Sequence, residues 1–309
     1  MDAEYTPPQA AGLLVALAAK GETSDEIAGA ARAMRERALK VEHGLPMVVD
    51  VVGTGGDGAN TVNISTMAAL VVAAAGVPVA KHGNRAASSA CGSADVLEAA
   101  GLAIDIAPET AAAMLREAGF TFMFAPRYHP AMRNVGPIRR ELGVRTIFNV
   151  LGPLTNPAQA THQLVGVARE SLLEVVGVVL GTLGVRGAVV HADNGVDEVA
   201  GDVRTRVYSF GSDGDRRWDL DPRSLGVDVP LAEIVGGSVE ACRAAFFQIL
   251  GGERTPAAKV VALNAAVVLH AVGTEPKLEG ALERAESILR SGAALRTFER
   301  AKELGDANG

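Results

Sequence analysis

Val48-Val49-Asp50-Val51-Val52 runs straight into Gly53-Thr54-Gly55-Gly56-Asp57-Gly58 and on through Asn60-Thr61-Val62-Asn63-Ile64-Ser65-Thr66 to an alanine-rich stretch. Four glycines in six positions let a backbone turn tightly and bring its N–H groups against a ligand. A helix starting behind them adds the positive end of its dipole. The chemistry this suits is the holding of phosphate. The spacing is neither G-x-x-x-x-G-K-[ST] nor G-x-G-x-x-G, so neither common nucleotide fingerprint is supported. Read blandly, the run is a glycine-rich turn with Ser65 and Thr66 capping a helix. Asp57 does not belong in a pure anion site unless it meets sugar hydroxyls or a bound cation.

A second loop of the same kind follows the apolar run Val77-Pro78-Val79-Ala80. It reads Lys81-His82-Gly83-Asn84-Arg85-Ala86-Ala87-Ser88-Ser89-Ala90-Cys91-Gly92-Ser93. Basic residues at a strand end, followed by small hydroxyl residues, would line the carboxyl edge of a sheet, where α/β enzymes bind ligands. The bland alternative is a solvated loop with Ser93 as a helix cap. Two such loops in succession point to one ligand with several phosphates.

The elements that must carry these loops are short β-branched runs alternating with alanine-rich helical patterns, the mark of βαβ units and a largely parallel sheet. Strands are expected over 47–52, 77–81, 120–124, 163–167 and 187–191, with β-like pieces around 207–210. Helices are expected over 66–75, 94–100, 108–118, 172–183, 238–250, 257–271 and 278–291. Before them, Thr6-Pro7-Pro8-Gln9 and Thr23-Ser24-Asp25-Glu26 are start signals for two helices with no strand nearby. The fold class is therefore α/β. A small helical domain over 1–44, with 128–157 crossing back into it, accompanies a large α/β domain over 45–127 and 158–309 with a mostly parallel central sheet.

At 309 residues and 48% hydrophobic, the chain can bury a substantial core. Its net charge of −7 argues against a nucleic-acid or membrane-surface footprint, so an anionic substrate must meet local positive groups, backbone N–H groups or a metal. Cys91 and Cys242 lie far apart without a C-x-x-C partner and are expected to be small buried hydrophobes. No basic leader and no apolar run of about 20 residues is present, which makes a cytoplasmic location the expectation.

The quoted loops are joined by Arg133-Asn134-Val135-Gly136-Pro137-Ile138-Arg139-Arg140-Glu141-Leu142-Gly143, by Asn149-Val150-Leu151-Gly152-Pro153-Leu154-Thr155-Asn156-Pro157 and by Asn264-Ala265-Ala266. Together they make the chain similar to the anthranilate phosphoribosyltransferase family over nearly its whole length. The resemblance implies a nucleoside phosphorylase/phosphoribosyltransferase-like fold with the active site at the domain junction. It implies transfer of the phosphoribosyl group from phosphoribosyl pyrophosphate (PRPP) to the amine of anthranilate, in tryptophan biosynthesis. Carried onto matching positions, Gly53, Gly56, Asp57, Thr61, Asn63, Ile64, Ser65, Thr66, Lys81 and Ser93 would hold PRPP. Gly83, Arg85, Ala86, Ala87, Ser88 and Ser89 belong to the same substrate loops. Ser65, Asp197 and Glu198 would hold magnesium, two ions per site. Asn84 and Arg139 would hold anthranilate, with His82 and Tyr128 at the mouth of its cavity. A homodimer is implied as well; the chain begins at what resembles a later helix of the family, which leaves that contact open and is expected to expose apolar surface on the first two helices.

The residues agree with these roles chemically. Adjacent acids in Gly195-Val196-Asp197-Glu198 repel each other but suit a hard cation that bridges to pyrophosphate. Taken alone they would read as a solvated loop. Arg139 offers a planar fork matched to a carboxylate. His82 and His129 are tempting general bases, but an aromatic amine is neutral and nucleophilic at pH 7, so no residue is assigned with certainty as catalytic; His82 and Arg139 are the nearest candidates. Positioning and stabilisation of the departing pyrophosphate are expected to carry the reaction. The rival enzyme, a pyrimidine nucleoside phosphorylase, has Ser-Gly-Arg after the lysine where this chain has His82-Gly83-Asn84-Arg85. A non-catalytic nucleic-acid-binding homologue would need a basic groove and no acid pair.

Overall fold

The computed structural model describes residues 4–86, 89–211 and 214–307. Both N-terminal helices start where their caps dictate. α1 (Pro7–Lys20) begins on a proline, and the Thr6 N–H donates to Gln9 Oε1 at 2.9 Å. α2 (Ser24–Arg37) carries a full capping box: the Thr23 N–H donates to the Glu26 carboxylate at 2.9 Å and the Glu26 N–H donates to Thr23 Oγ1 at 3.3 Å. Its buried face is Ile27, Ala28, Ala31 and Met34, at helical spacing.

The rest alternates as β1 (Val49–Gly53), α3 (Ile64–Ala74), β2 (Val79–Gly83), α4 (Ser93–Ala99), α5 (Pro108–Ala118) and β3 (Phe120–Phe124). A helical excursion follows: α6 (Ala125–Tyr128), α7 (Met132–Leu142) and α8 (Phe148–Leu151). The chain then returns through β4 (His162–Gly166), α9 (Leu173–Thr182), β5 (Arg186–Ala192), β6 (Thr205–Phe210) and β7 (Arg216–Leu220). It ends on α10 (Val239–Leu250), α11 (Pro256–Ala271), α12 (Leu278–Arg290) and α13 (Ala293–Ala307).

The strands form one seven-stranded sheet in the order β3-β2-β1-β4-β5-β6-β7. The first five are parallel and the last two antiparallel. α3 is apolar on every side because it lies between the sheet and α11, which is itself buried from Val260 to Leu269. On the other face a second core joins Val165, Val167 and Val189 of the sheet region to α9 and to Ile27, Ala31 and Met34 of α2. α7 packs against α1, and α8 against α2, so the excursion lies with the N-terminal helices.

Two elements go beyond the sequence expectation. β7 is an edge strand, Arg216-Arg217-Trp218-Asp219-Leu220, whose charges hide the alternation, and it is fixed by pairing with β6 and by Trp218 Nε1–H donating to Ser209 Oγ at 2.9 Å. α13 buries Ala294, Phe298, Ala301 and Leu304 at readable helical spacing. The first two strands also sit later than expected, because Val49 and Val79 are the first residues in register; the Val49 N–H is taken by the Pro78 carbonyl at 2.9 Å.

After β1 the chain builds outward through β2 and β3, then returns to the opposite side of β1 with β4. That reversal opens a crevice at the carboxyl ends of β1 and β4. Gly53 and Gly166 face each other there.

Candidate active site

Two cavities meet at this crevice. The larger, about 680 Å³, is walled by the Gly53–Gly58 loop, Asn63, Ser65, Thr66, Lys81, Ser93, Asp197 and Glu198. The smaller, about 590 Å³, lies under α7 and α8 and is lined by Met34, Ala125, Pro126, His129, Arg139 and Phe148. Gly53, Thr54, His82, Gly83, Asn84 and Asn149 line both. A separate cavity of about 510 Å³ between Glu233, Arg254, Lys259 and Arg290 holds none of the residues singled out by sequence.

The paired glycines are a slot for the acid turn. A Cβ on Gly53 would collide with the Asp197 carboxylate, and one on Gly166 with the Asp197 backbone. Asp197 accepts from the Gly55 N–H at 2.6 Å, and Glu198 accepts from Thr61 Oγ1–H and the Ser65 N–H, each at 3.2 Å. Behind them the buried Asn264 of α11 brackets Val199, accepting from its N–H at 3.0 Å and donating to its carbonyl at 2.9 Å. Burial, then the charge of Asp57, pushes Asp197 up to about 7; burial, then Asp197 and Asp57, pushes Glu198 up to about 8. A divalent cation would relieve that repulsion. Among the described residues no three His, Cys, Asp or Glu side chains converge on a metal. The donor set is two carboxylates beside the Ser65 hydroxyl, which fits a hard ion that draws its other ligands from water and phosphate oxygens.

Lys81 is buried at the base of the larger cavity and donates to the Val51 carbonyl at 2.5 Å and Ser65 Oγ at 3.3 Å. Burial lowers it to about 8, against the pull of Asp50, Glu198 and Asp197. Asp50 is fully buried and raised by burial to about 6, against the pull of Lys81. It accepts from the His82 N–H at 3.2 Å and from Asn156 Nδ2–H at 2.8 Å, and Asn156 also donates to the Ala80 carbonyl at 2.8 Å. This network fixes where the basic end of β2 lies. Asp50 and Asn156 are not among the residues singled out by sequence; the signal for them is an acid inside an otherwise apolar strand.

His82 rests with Nδ1 3.2 Å from the Gly152 carbonyl, so Nδ1 carries the proton and Nε2, buried without a partner, is left as an acceptor. Burial, then neighbouring His129 with ring centroids 5.0 Å apart, pushes His82 down to about 3. It is therefore neutral. The Arg139 guanidinium sits over the Phe148 ring at 5.2 Å. Asn63 Oδ1 and Thr66 Oγ1 are also buried without partners beside the larger cavity.

Some expected site residues are placed differently. Tyr128 is not at the mouth of a cavity: it is fully buried, its hydroxyl donating to the Ile106 carbonyl at 3.1 Å, because an aromatic body in the core needs one polar partner. Ile64 turns into the core as the first residue of α3. Arg85 lines the larger cavity, but its guanidinium is held by Glu98 at 2.7 Å and Asp95 at 3.2 Å. Ala86 gives its N–H to Asp95 at 2.9 Å, and Ser89 lines the cavity. Ala87 and Ser88 lie outside the described residues. Cys91 and Cys242 are buried and free, and no helix among the described residues is long and apolar enough to cross a membrane. Arg145, on the wall of the larger cavity, carries no signal in the sequence motifs.

A glycine-loop cavity with an acid pair, sharing a wall with a second cavity that carries an aromatic ring and a guanidinium, fits a glycosyl-transferring enzyme. In agreement, residues 45–295 match the a/b domain of the glycosyl transferase family and residues 1–38 match the helical bundle domain of that family. A curated relative, anthranilate phosphoribosyltransferase from Thermomicrobium roseum, is 50% identical over 313 residues, covering 99% of this chain and 90% of the relative. The crystal structure of anthranilate phosphoribosyltransferase from Thermus thermophilus superposes with a TM-score of 0.94 at 46% identity, covering 98% of this chain and 91% of that one. The enzyme from Saccharomyces cerevisiae in complex with PRPP and Mg has a TM-score of 0.90 at 28% identity, covering 97% and 86%. The chain belongs to the anthranilate phosphoribosyltransferase family.

Proposed function

We propose that the larger cavity holds PRPP and the smaller one anthranilate, and that the chain transfers the phosphoribosyl group to the anthranilate amine, giving N-(5-phosphoribosyl)anthranilate and pyrophosphate. The shared wall carries this reading: Gly53, Thr54, His82, Gly83, Asn84 and Asn149 border both compartments, so a ribose set there faces phosphates on one side and an amine on the other. Beside Gly53, the N–H groups of Gly56, Asp57 and Gly58, with Thr61, Asn63, Thr66, Lys81 and Ser93, receive the phosphates and ribose. Ser65, Asp197 and Glu198 hold magnesium, two ions per site, and magnesium when bound offsets the charge of the departing pyrophosphate. Arg139 and Asn84 hold the anthranilate ring and carboxylate. His82, neutral and with Nε2 as an acceptor, takes a hydrogen bond from the amine and orients it. No strong base is needed, since the aromatic amine already presents its lone pair.

A cytoplasmic location belongs to the same reading. So does a homodimer, supported by Leu13 and Val15 of α1, which stay 62% and 44% exposed where a second copy would cover them; sedimentation as a monomer would overturn it.

Anthranilate fluorescence tests the reaction. It is expected to fall only when PRPP and magnesium are both supplied, and EDTA should stop the loss. The Asp197→Ala/Glu198→Ala variant should lose roughly tenfold or more in rate. Full activity in that variant would remove the acid pair from the site.

A further inference from the structure

We infer that Arg145 is a phosphate-binding residue of the donor compartment, closing over Gly56 onto the pyrophosphate of PRPP. The inference rests on the reading of the larger cavity as the PRPP site. Arg145 lines that cavity and not the smaller one. A Cβ placed on Gly56 would lie 3.1 Å from Arg145 Nη2 and 3.4 Å from Nη1, so the guanidinium lies close over a glycine whose φ is +79°. The bare glycine makes room for it.

Charge within the cavity gives the position its meaning. Asp57, Asp197 and Glu198 present acids to a polyanionic ligand. Of the cations there, Lys81 donates to Val51 and Ser65, and Arg85 is tied to Glu98 and Asp95. Among the described residues, Arg145 has neither an ion pair nor a hydrogen bond at its guanidinium. Its backbone is nevertheless fixed. Thr146 and Ile147 next to it are buried, the Thr146 N–H donates to Asn149 Oδ1 at 2.9 Å, and the Asn149 N–H returns to the Thr146 carbonyl at 2.8 Å. An exposed, unpaired fork on an anchored turn suits bidentate capture of phosphate oxygens. Arg139, six residues earlier, stacks on Phe148 in the other cavity, which Arg133 and Arg140 line as well, so of the arginines in this segment Arg145 is the one that faces the larger cavity.

Steady-state kinetics of the full chain, with PRPP and anthranilate varied separately and inorganic pyrophosphate as a product inhibitor, test this. Arg145→Ala should raise the KM for PRPP and the inhibition constant for pyrophosphate by roughly ten- to a hundredfold, leaving the KM for anthranilate unchanged. Arg145→Lys should recover part of the loss. An unchanged KM for PRPP and unchanged pyrophosphate inhibition would overturn the inference, and so would an equal loss for both substrates. Should the parent fail to use PRPP, the donor reading falls instead. Calorimetric titration with magnesium pyrophosphate then decides for Arg145 alone: weaker binding by Arg145→Ala supports it, and equal binding refutes it.

Discussion

Arg139 is the side chain through which the proposed reading can be tested for one substrate alone. Its guanidinium is braced by the Phe148 face on the wall of the smaller cavity, where its donors could meet a carboxylate. If Arg139 holds the anthranilate carboxylate as proposed, replacing it with alanine should remove a charge-assisted contact worth roughly 1.5–3 kcal/mol, or about ten- to a hundredfold in the KM for anthranilate. Binding of PRPP should hardly move, and Arg139→Lys should recover part of the loss. Aniline, lacking the carboxylate, should be a poor substrate for the parent and nearly indifferent to the change; an equal loss for both amines would make Arg139 a structural residue. His82 and His129 make a different kind of prediction. Burial holds them at about 3 and about 4, below the ordinary value of about 6.5 that an unfolded chain shows. As pH falls through 6.5 the unfolded chain therefore takes up protons that the folded chain refuses, and stability is lost toward lower pH. Between pH 7 and 5 the parent should lose melting temperature faster than His82→Asn. Parallel pH slopes for the two would contradict the neutral, buried imidazole.

At the scale of elements, the site depends on two strand ends that carry no side chain. Gly166→Ala would drive a Cβ into the Asp197 backbone, and no rotamer change can relieve a backbone collision. Gly55 has φ +66° with open space around the missing Cβ, so Gly55→Ala costs only the left-handed backbone, about 1 kcal/mol. Gly166→Ala should therefore weaken magnesium dependence and lower the melting temperature, while Gly55→Ala leaves the fold nearly intact; thermal melts and magnesium titrations of activity check both. From sequence alone the glycines of 53–58 draw notice and Gly166 does not, because its importance comes from a turn about thirty residues further on. The glycine loops were legible because their spacing is local. The Asp50–Asn156 network and the Asn264 bracket were not, because their partners meet only when β1, β2 and α11 are assembled. Tyr128 and Ile64 mark the limit of carrying a motif over residue by residue: neighbours of site residues share a motif with them while facing the core.

At the scale of the whole molecule, the reversal of strand order puts the mouth of the sheet between β1 and β4, and the 128–157 excursion brings α7 and α8 over it against α1 and α2. The larger cavity thus belongs to the sheet edge, and the smaller one lies where the helices cover it. On the proposed assignment, transfer runs across the strand ends onto which both open. The most direct test is a crystal structure of the chain with magnesium, a non-reactive PRPP analogue and anthranilate. The pyrophosphate should lie over the Gly53–Gly58 loop with metal at Asp197 and Glu198, and the anthranilate carboxylate should meet Arg139 with its amine facing the ribose across Gly53 and Asn84. Phosphates bound away from the glycine loop, or an anthranilate ring seated among Asp57, Asp197 and Glu198, would contradict the account.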